Sequence, residues 1–127
     1  ICKRVQLKME KGCSMFLTQP VYSKEDMERI AYIKEKTGAK IMCGIMPLVS
    51  YKNAMFMANE MPGIRIPEDI IGRYQPEMTR EEAEETGIAL AAEIADQMKE
   101  IADGYYFMTP FNRAGMIAEI IKKVKRF

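Results

Sequence analysis

The chain has 127 residues, which is enough for one domain of ordinary size. Its 19 basic and 18 acidic side chains give a formal net charge of +1, so it lacks the basic field that nucleic-acid binding requires. No apolar run approaches the roughly 18 residues that a membrane-spanning helix needs. We therefore expect neither a nucleic-acid nor a membrane partner.

The side-chain inventory limits the chemistry that this chain can perform. The absence of histidine excludes a Cys–His or Ser–His–Asp nucleophile within it and argues against zinc. Cys2, Cys13 and Cys43 are odd in number and lack metal-ligand spacing, and free thiols are typical of reducing compartments, so we expect a cytoplasmic location. The acidic cluster from Glu81 to Glu85 is interpreted as a solvated helix start, so no metal site is predicted.

Hydrophobic periodicity and capping motifs predict helices that alternate with short strands. Ser23 with Asp26, and Thr79 with Glu82, are helix starts of the Ser/Thr-x-x-acid type, and Gly38 is a helix end. In chain order we predict a helix at about 3–11, a strand at 14–18, a helix at 23–38, a strand at 40–45, a helix from Ser50 to before Pro62, a short helix with Pro67 at its first position and an end near Arg73, a helix at 79–102, a strand at 104–108 and a helix at 112–125.

The three predicted strands are continuous apolar runs, and such runs separated by helices are typical of a buried parallel sheet. In parallel sheets, ligands bind at the carboxyl ends of the strands. Function is therefore expected at Gln19, from Pro47 to Asn53, and at Asn112 and Arg113. Asn112 is also predicted to cap the last helix.

Two architectures explain this order of elements. Three parallel strands could form a small doubly wound sheet, although neither a Gly-x-Gly-x-x-Gly turn nor a phosphate loop is present in the sequence. A stretch cut from an eight-stranded barrel gives the same order. Because the chain opens on Ile1 within a predicted helix, we expect it to be a piece of a longer protein.

Four blocks of the sequence are distinctive, namely Lys8 to Gly12, Phe16 to Pro20, Gly44 to Pro47, and Phe107 to Ala114. In order and spacing, they resemble the methylenetetrahydrofolate reductase family. The phrases at 18–22 and 59–64 look most like the bacterial form that is fused to a homocysteine methyltransferase module. The resemblance covers essentially all of the chain.

The resemblance implies a flavin-containing (β/α)8 barrel. Such a barrel uses FAD to pass a hydride from NADH or NADPH to 5,10-methylenetetrahydrofolate, which gives 5-methyltetrahydrofolate. Residues 1–127 align with the carboxyl-terminal half of that barrel, which comprises about strands six to eight and their helices. The family's catalytic carboxylates lie in the other half, so no catalytic residue is assigned here and the isolated chain is expected to be inactive.

The same resemblance implies roles for five residues. Lys8 matches a lysine that reaches the FAD phosphates, and Gln19 matches a glutamine that contacts the pterin or nicotinamide. Arg113 matches an arginine that contacts folate. Asn53 stands where many members have Gln, and Met57 stands where many have Phe, so both are expected on the substrate side with altered reach and stacking.

A partial barrel leaves two strand edges and one sheet face open. We therefore expect two kinds of partner, the missing amino-terminal half and further copies of the chain in a homo-oligomer. The alternative hypothesis is a non-catalytic α/β assembly or binding module derived from that barrel. Such a module would need its own helices to cover the second sheet face.

Overall fold

The computed structural model describes residues 2–109 and 113–124. Within them, the predicted α/β alternation is confirmed. The elements are α1 (Cys2–Glu10), β1 (Met15–Pro20), α2 (Lys24–Thr37), β2 (Lys40–Ile45), α3 (Tyr51–Glu60), α4 (Glu68–Ile71), α5 (Arg80–Met98), β3 (Gly104–Phe107) and α6 (Ala114–Lys123).

The strands form one parallel sheet in the order β1-β2-β3. Leu17 pairs with Met42, which in turn pairs with Gly104. Because each crossover advances to the next strand in the same direction, and such crossovers are right-handed, the helices gather on one face of the sheet. A doubly wound sheet would instead reverse its strand order to place helices on both faces. The predicted partial (β/α)8 barrel is thus the architecture with which the fold agrees.

The two faces of the sheet differ sharply in burial. On the helix face, Ile41, Cys43 and Ile45 of β2 are at most 4% exposed and form part of the core. On the other face, which we call the open face, Met15 is 53% and Leu17 is 63% exposed. Large apolar side chains at such exposure indicate a surface that another part of a protein covers.

The predicted helix starts at Ser23 and Thr79 are confirmed, and Ser50 caps the helix that was predicted to start near it. The hydroxyl oxygens of Ser23 and Ser50 accept hydrogen bonds from the backbone N–H groups at Asp26 and Asn53, at 3.1 and 3.0 Å. Thr79 and Glu82 form a reciprocal capping box. Each cap satisfies a backbone donor that the first helical turn leaves without a partner, so these starts were readable from local sequence.

Several predicted boundaries are corrected. The long helix ends at Met98, and a tighter turn follows it, in which the backbone N–H groups of Lys99 and Ile101 donate to the carbonyls of Asp96 and Met98, three residues back. Strand β1 extends to Pro20, and Pro67 is the N-cap of α4 rather than its first residue. The last helix begins at Ala114, and the predicted capping residue Asn112 lies outside the described residues.

Helix α5 packs closely on the loop that follows β2, and a glycine makes this contact possible. A Cβ atom at Gly87 would lie 2.3 Å from the carbonyl oxygen of Leu48. The backbone at that distance has to move before any side chain can be accommodated.

The helices that the structure describes include none with the length and apolar character of a membrane-spanning helix.

We predict that Gly87→Ala destabilises the fold, because its methyl group would force α5 away from the loop at Leu48. Overpacking of this kind costs about 1–3 kcal/mol of the free energy of unfolding. Urea unfolding followed by circular dichroism measures the change.

Gly115→Ala is the matched control, since it lies in α6 with no atom within 4 Å of its added Cβ. Alanine is a better helix former than glycine, so this variant is expected to gain up to about 1 kcal/mol. Equal effects of the two substitutions would contradict the packing account.

Candidate functional site

The carboxyl ends of the three strands bring the predicted site segments to one rim of the sheet. Gln19 lies at the end of β1, Asn53 lies in the first turn after the β2 loop, and Arg113 precedes α6. The backbone therefore places these three residues as the sequence predicted, at the edge where ligands bind in parallel α/β folds. Their side chains, however, face different local partners.

The loop between β2 and α3 is the most firmly held segment of this rim. The hydroxyl of Tyr22 donates a hydrogen bond to the carbonyl of Met46 at 2.7 Å, and that of Tyr74 donates to Leu48 at 2.9 Å. Pro47, Leu48 and Val49 are buried. Two carbonyl groups of the loop are thus hydrogen-bonded and three of its residues lie in the core, which fixes the start of α3.

Asn53 serves this loop as well as facing the rim. Its side-chain oxygen accepts a hydrogen bond from the backbone N–H of Val49 at 3.0 Å. An amide carries both an acceptor and two donor hydrogens, so the amino group of Asn53 remains chemically able to bind a ligand. Its contact with substrate stays a prediction.

Gln19 has no hydrogen bond from its side-chain amide to any residue in the described part of the chain. The amide lies against Gly63, where a Cβ atom would come within 2.6 Å of its oxygen. It also lines a cavity between β1 and α2, together with Asp26, Arg29 and Ile30. An exposed amide with both a donor and an acceptor available suits a ring with mixed hydrogen-bonding edges.

Arg113 is held by an acid. Its guanidinium donates a hydrogen bond to Glu84 of α5 at 2.7 Å, and Glu84 also binds Arg80 at 3.1 Å. The Arg113 side chain is 19% exposed. The cavity beside it shares no lining residue with the cavity at Gln19, so the structure brings these two residues to the same rim but not into one pocket.

Met57 and Lys8 lie elsewhere. Met57 is 5% exposed and packs in the core, because it lies on the inward side of α3 with Ala54. Lys8 is exposed in the last turn of α1, close to the amino end of β1, so it lies at the opposite end of that strand from Gln19. Their substrate and flavin roles stay predictions.

Tyr106 is a site residue that the sequence analysis missed. It projects from β3 onto the open face, crosses Gly44 of β2, and donates a hydrogen bond to the carbonyl of Thr18 on β1. The sequence offered one weak signal, a tyrosine in β3 and a glycine in the neighbouring strand β2. The two hydrogen-bonded residues, Tyr106 and Thr18, are 88 positions apart. Long-range contacts of this kind leave no local pattern.

The tyrosines at the rim remain protonated donors at neutral pH. Burial is the main reason that the pKa values of Tyr22 and Tyr74 lie well above the ordinary value. Burial also raises the pKa of Tyr106. Each hydroxyl can therefore keep donating to its carbonyl.

Among residues 2–109 and 113–124, no group of three or more His, Cys, Asp or Glu side chains could hold a metal ion.

We predict that the fold loses stability at alkaline pH because of the two buried loop tyrosines. In the unfolded chain tyrosine ionises near pH 10, whereas burial raises the folded pKa of Tyr22 and Tyr74 above that. Their contribution is complete below about pH 10 and is lost as the pH rises toward the folded values. Urea unfolding at a series of alkaline pH values measures this loss.

The double variant Tyr22→Phe, Tyr74→Phe should show a flatter alkaline decline than the parent chain. Tyr32→Phe is the control, because Tyr32 is 55% exposed. A decline that the double variant leaves unchanged would contradict the assignment.

The fold has a counterpart among solved structures. A protein from Clostridium thermocellum, described as uncharacterized and as binding two copies of 5-methyl-5,6,7,8-tetrahydrofolic acid, matches with a TM-score of 0.57 and 23% identity. The match covers 98% of this chain and 46% of that one, so the chain spans about half the length of its structural neighbour. No curated protein sequence matches the chain.

The family, by contrast, is identified over nearly the whole sequence. The family model described as methylenetetrahydrofolate reductase matches residues 2–125. The match includes all three strands and the rim segments described above. The chain therefore belongs to the methylenetetrahydrofolate reductase family.

Proposed function

We propose that residues 1–127 form the carboxyl-terminal half of a methylenetetrahydrofolate reductase barrel. In the intact protein, this half supplies the folate-side wall of the active site. The reaction is the reduction of 5,10-methylenetetrahydrofolate to 5-methyltetrahydrofolate by NADH or NADPH. The isolated chain lacks the other wall and is inactive.

The observation that carries this proposal is the open face. A barrel interior is lined by one face of a parallel sheet, with apolar side chains that interdigitate between strands. Here Met42 lies over Gly104, whose Cβ would meet its sulfur at 2.7 Å, and Tyr106 lies over Gly44. Large side chains set against glycines on neighbouring strands are typical of such an interior layer.

Two comparisons support a folate ligand. The family match indicates folate chemistry. The structural neighbour from Clostridium thermocellum is described as a binder of 5-methyl-5,6,7,8-tetrahydrofolic acid. Since the rim of this chain carries Gln19 with an uncommitted amide, a pterin ring is a suitable occupant there.

The proposed roles follow the chemistry of each side chain. Gln19 binds the polar edge of the pterin or nicotinamide ring, and the amino group of Asn53 binds the folate. Arg113 binds a carboxylate of the substrate, which competes with Glu84 for the same guanidinium. Met57, which is 5% exposed, supports this wall from the core rather than by stacking on the ligand.

FAD is the proposed cofactor of the intact barrel, where it carries the hydride from NADH or NADPH to the folate. The exposed ammonium of Lys8 fits a phosphate contact. We assign this chain only that one contact with the cofactor. Lys8 lies at the far end of β1 from Gln19, which favours contact with an outlying part of the cofactor.

The alternative of a self-contained binding module is less well supported. It requires the chain's own helices to cover both sheet faces. Met15 and Leu17 are exposed on the open face, so the described elements leave that face uncovered.

We also propose, from the phrases at 18–22 and 59–64, that the intact protein is cytoplasmic and carries a homocysteine methyltransferase module. The mass of the intact protein would test the presence of this module.

We predict that the isolated chain shows no NADH- or NADPH-dependent reduction of 5,10-methylenetetrahydrofolate. Co-expression with the amino-terminal half of a family barrel should restore activity and bring yellow flavin absorbance with the purified complex. Lys8→Ala should weaken flavin retention, whereas Lys3→Ala, on the same helix and also exposed, should not.

Turnover by the isolated chain would overturn the assignment of the missing wall. A co-purified complex without flavin and without activity would overturn the reductase proposal itself. Binding of a protein partner without any flavin would favour the module.

We predict that Glu84→Gln strengthens folate binding in the reconstituted barrel, because it weakens the competitor for Arg113. The gain should be about threefold to tenfold in Kd, because glutamine keeps a neutral hydrogen bond to Arg113 and only the additional strength of the charge-assisted bond is lost. Glu85→Gln is the control, since Glu85 is exposed and adjacent. Weaker binding by Glu84→Gln would show that Glu84 orients Arg113 instead of competing for it.

We predict that the isolated chain self-associates through the open face, because exposed apolar surface and free strand edges favour pairing. Leu17→Lys should shift the species toward monomer in sedimentation velocity, whereas Leu7→Lys, on α1, should not. A parent chain that stays monomeric at high concentration would contradict this.

A further inference from the structure

The pairing of β1 with β2 is interrupted at the rim. Leu17 pairs with Met42 and Pro20 pairs with Gly44, so two residues of β1, Thr18 and Gln19, oppose the single residue between Met42 and Gly44. An extra residue in one strand is a β-bulge, which bends the strand and changes the direction of a side chain. Bulges are frequent next to functional sites. Gln19 is part of this one.

Three hydrogen bonds hold Thr18 in the bulge. The backbone N–H of Gly44 donates to the Thr18 hydroxyl at 2.9 Å, and that hydroxyl donates to the carbonyl of Gln19 at 2.8 Å. The hydroxyl of Tyr106 donates to the carbonyl of Thr18. Residues of β2 and β3 therefore both help to fix the peptide that joins Thr18 to Gln19 in β1.

This reach depends on the absence of a side chain at Gly44. A Cβ atom there would lie 2.9 Å from the Tyr106 hydroxyl and 3.0 Å from the Thr18 carbonyl. The ring of Tyr106 thus lies flat across β2 and meets the bulge. The side-chain amide of Gln19 also lies against Gly63, which has a φ of 84°, and a Cβ atom there would come within 2.6 Å of the amide oxygen.

We propose that Tyr106 is a positioning residue. Its hydroxyl reaches across Gly44 to hold the Thr18 carbonyl, and this contact sets the direction of the side-chain amide of Gln19. Its contribution to folate binding rests on the function proposed above for Gln19. Its contribution to the geometry of Gln19 does not. A hydroxyl that only stabilised the sheet would affect the fold as a whole and leave the Gln19 amide where it is.

The first experiment needs no ligand. The full chain contains four glutamines, at positions 6, 19, 75 and 97, so labelling with ¹⁵N-glutamine gives few side-chain amide signals. Tyr106→Phe should shift the side-chain signals of Gln19 and leave those of the other three unchanged. Tyr105→Phe is the matched control, because the neighbouring tyrosine donates to the carbonyl of Ala95 on the helix side of the sheet.

A second variant reaches the same contact from β2. Gly44→Ala should displace the Tyr106 hydroxyl and produce a similar Gln19 shift, and adding Tyr106→Phe should change it little further. The proposal is overturned if Tyr106→Phe leaves the Gln19 signals in place. It is also overturned if Tyr105→Phe moves them as much.

The second experiment measures the Kd for 5-methyltetrahydrofolate in the barrel that this chain forms with the amino-terminal half of a family barrel. Gln19→Ala and Tyr106→Phe should each weaken binding by about threefold to tenfold, the scale of one hydrogen bond. The double variant should bind about as the weaker single variant does, because both changes remove one interaction. Additive losses would overturn the coupling between the two residues. No folate binding by the reconstituted parent barrel would overturn the folate role of Gln19, while the spectra of the chain alone still decide the role of Tyr106.

Discussion

Side chains on the open face of the sheet are the constraint on which the rest of this structure depends. Three parallel strands in sequential order, joined by right-handed crossovers, place their helices on one side only. The other side carries Met15 and Leu17 in contact with solvent. Exposure of such apolar side chains to water is unfavourable in free energy, and a self-contained domain would bury them. The rim chemistry, the need for a second half and the family assignment all agree with a barrel interior.

Glycines and tyrosines organise the rim against that sheet. Gly87 lets α5 approach the carbonyl of Leu48, and Gly44 lets Tyr106 cross β2. Tyr22 and Tyr74 hold the loop before α3 from the helix side. Each tyrosine donates to a backbone carbonyl, so the loops keep their shape without any ligand. A binding wall that is formed in advance loses less conformational entropy when its ligand arrives.

Local sequence predicted the elements well because their causes are local. Continuous apolar runs identify the strands, and the hydroxyl caps at Ser23, Ser50 and Thr79 identify helix starts. The positions of Gln19, Asn53 and Arg113 at one rim followed from the parallel order. These predictions required no knowledge of contacts distant in sequence.

The directions of the side chains could not be predicted in this way. Tyr106 donates a hydrogen bond to the bulge at Thr18, and Glu84 accepts one from Arg113, so both sites have partners that are far away in the chain. Met57 was expected at the substrate because of its alignment, whereas the helical phase of α3 buries it. Tertiary packing decides these features.

Hydrogen–deuterium exchange at the strand edges tests the central claim most directly. Peptides that cover β1 and β3 should exchange quickly in the isolated chain and become protected when the amino-terminal half of a family barrel is added. Peptides from α5, which is already packed on the helix face, should change little. Unchanged exchange at both strands in the presence of that half would contradict the account of the open face as a barrel interior.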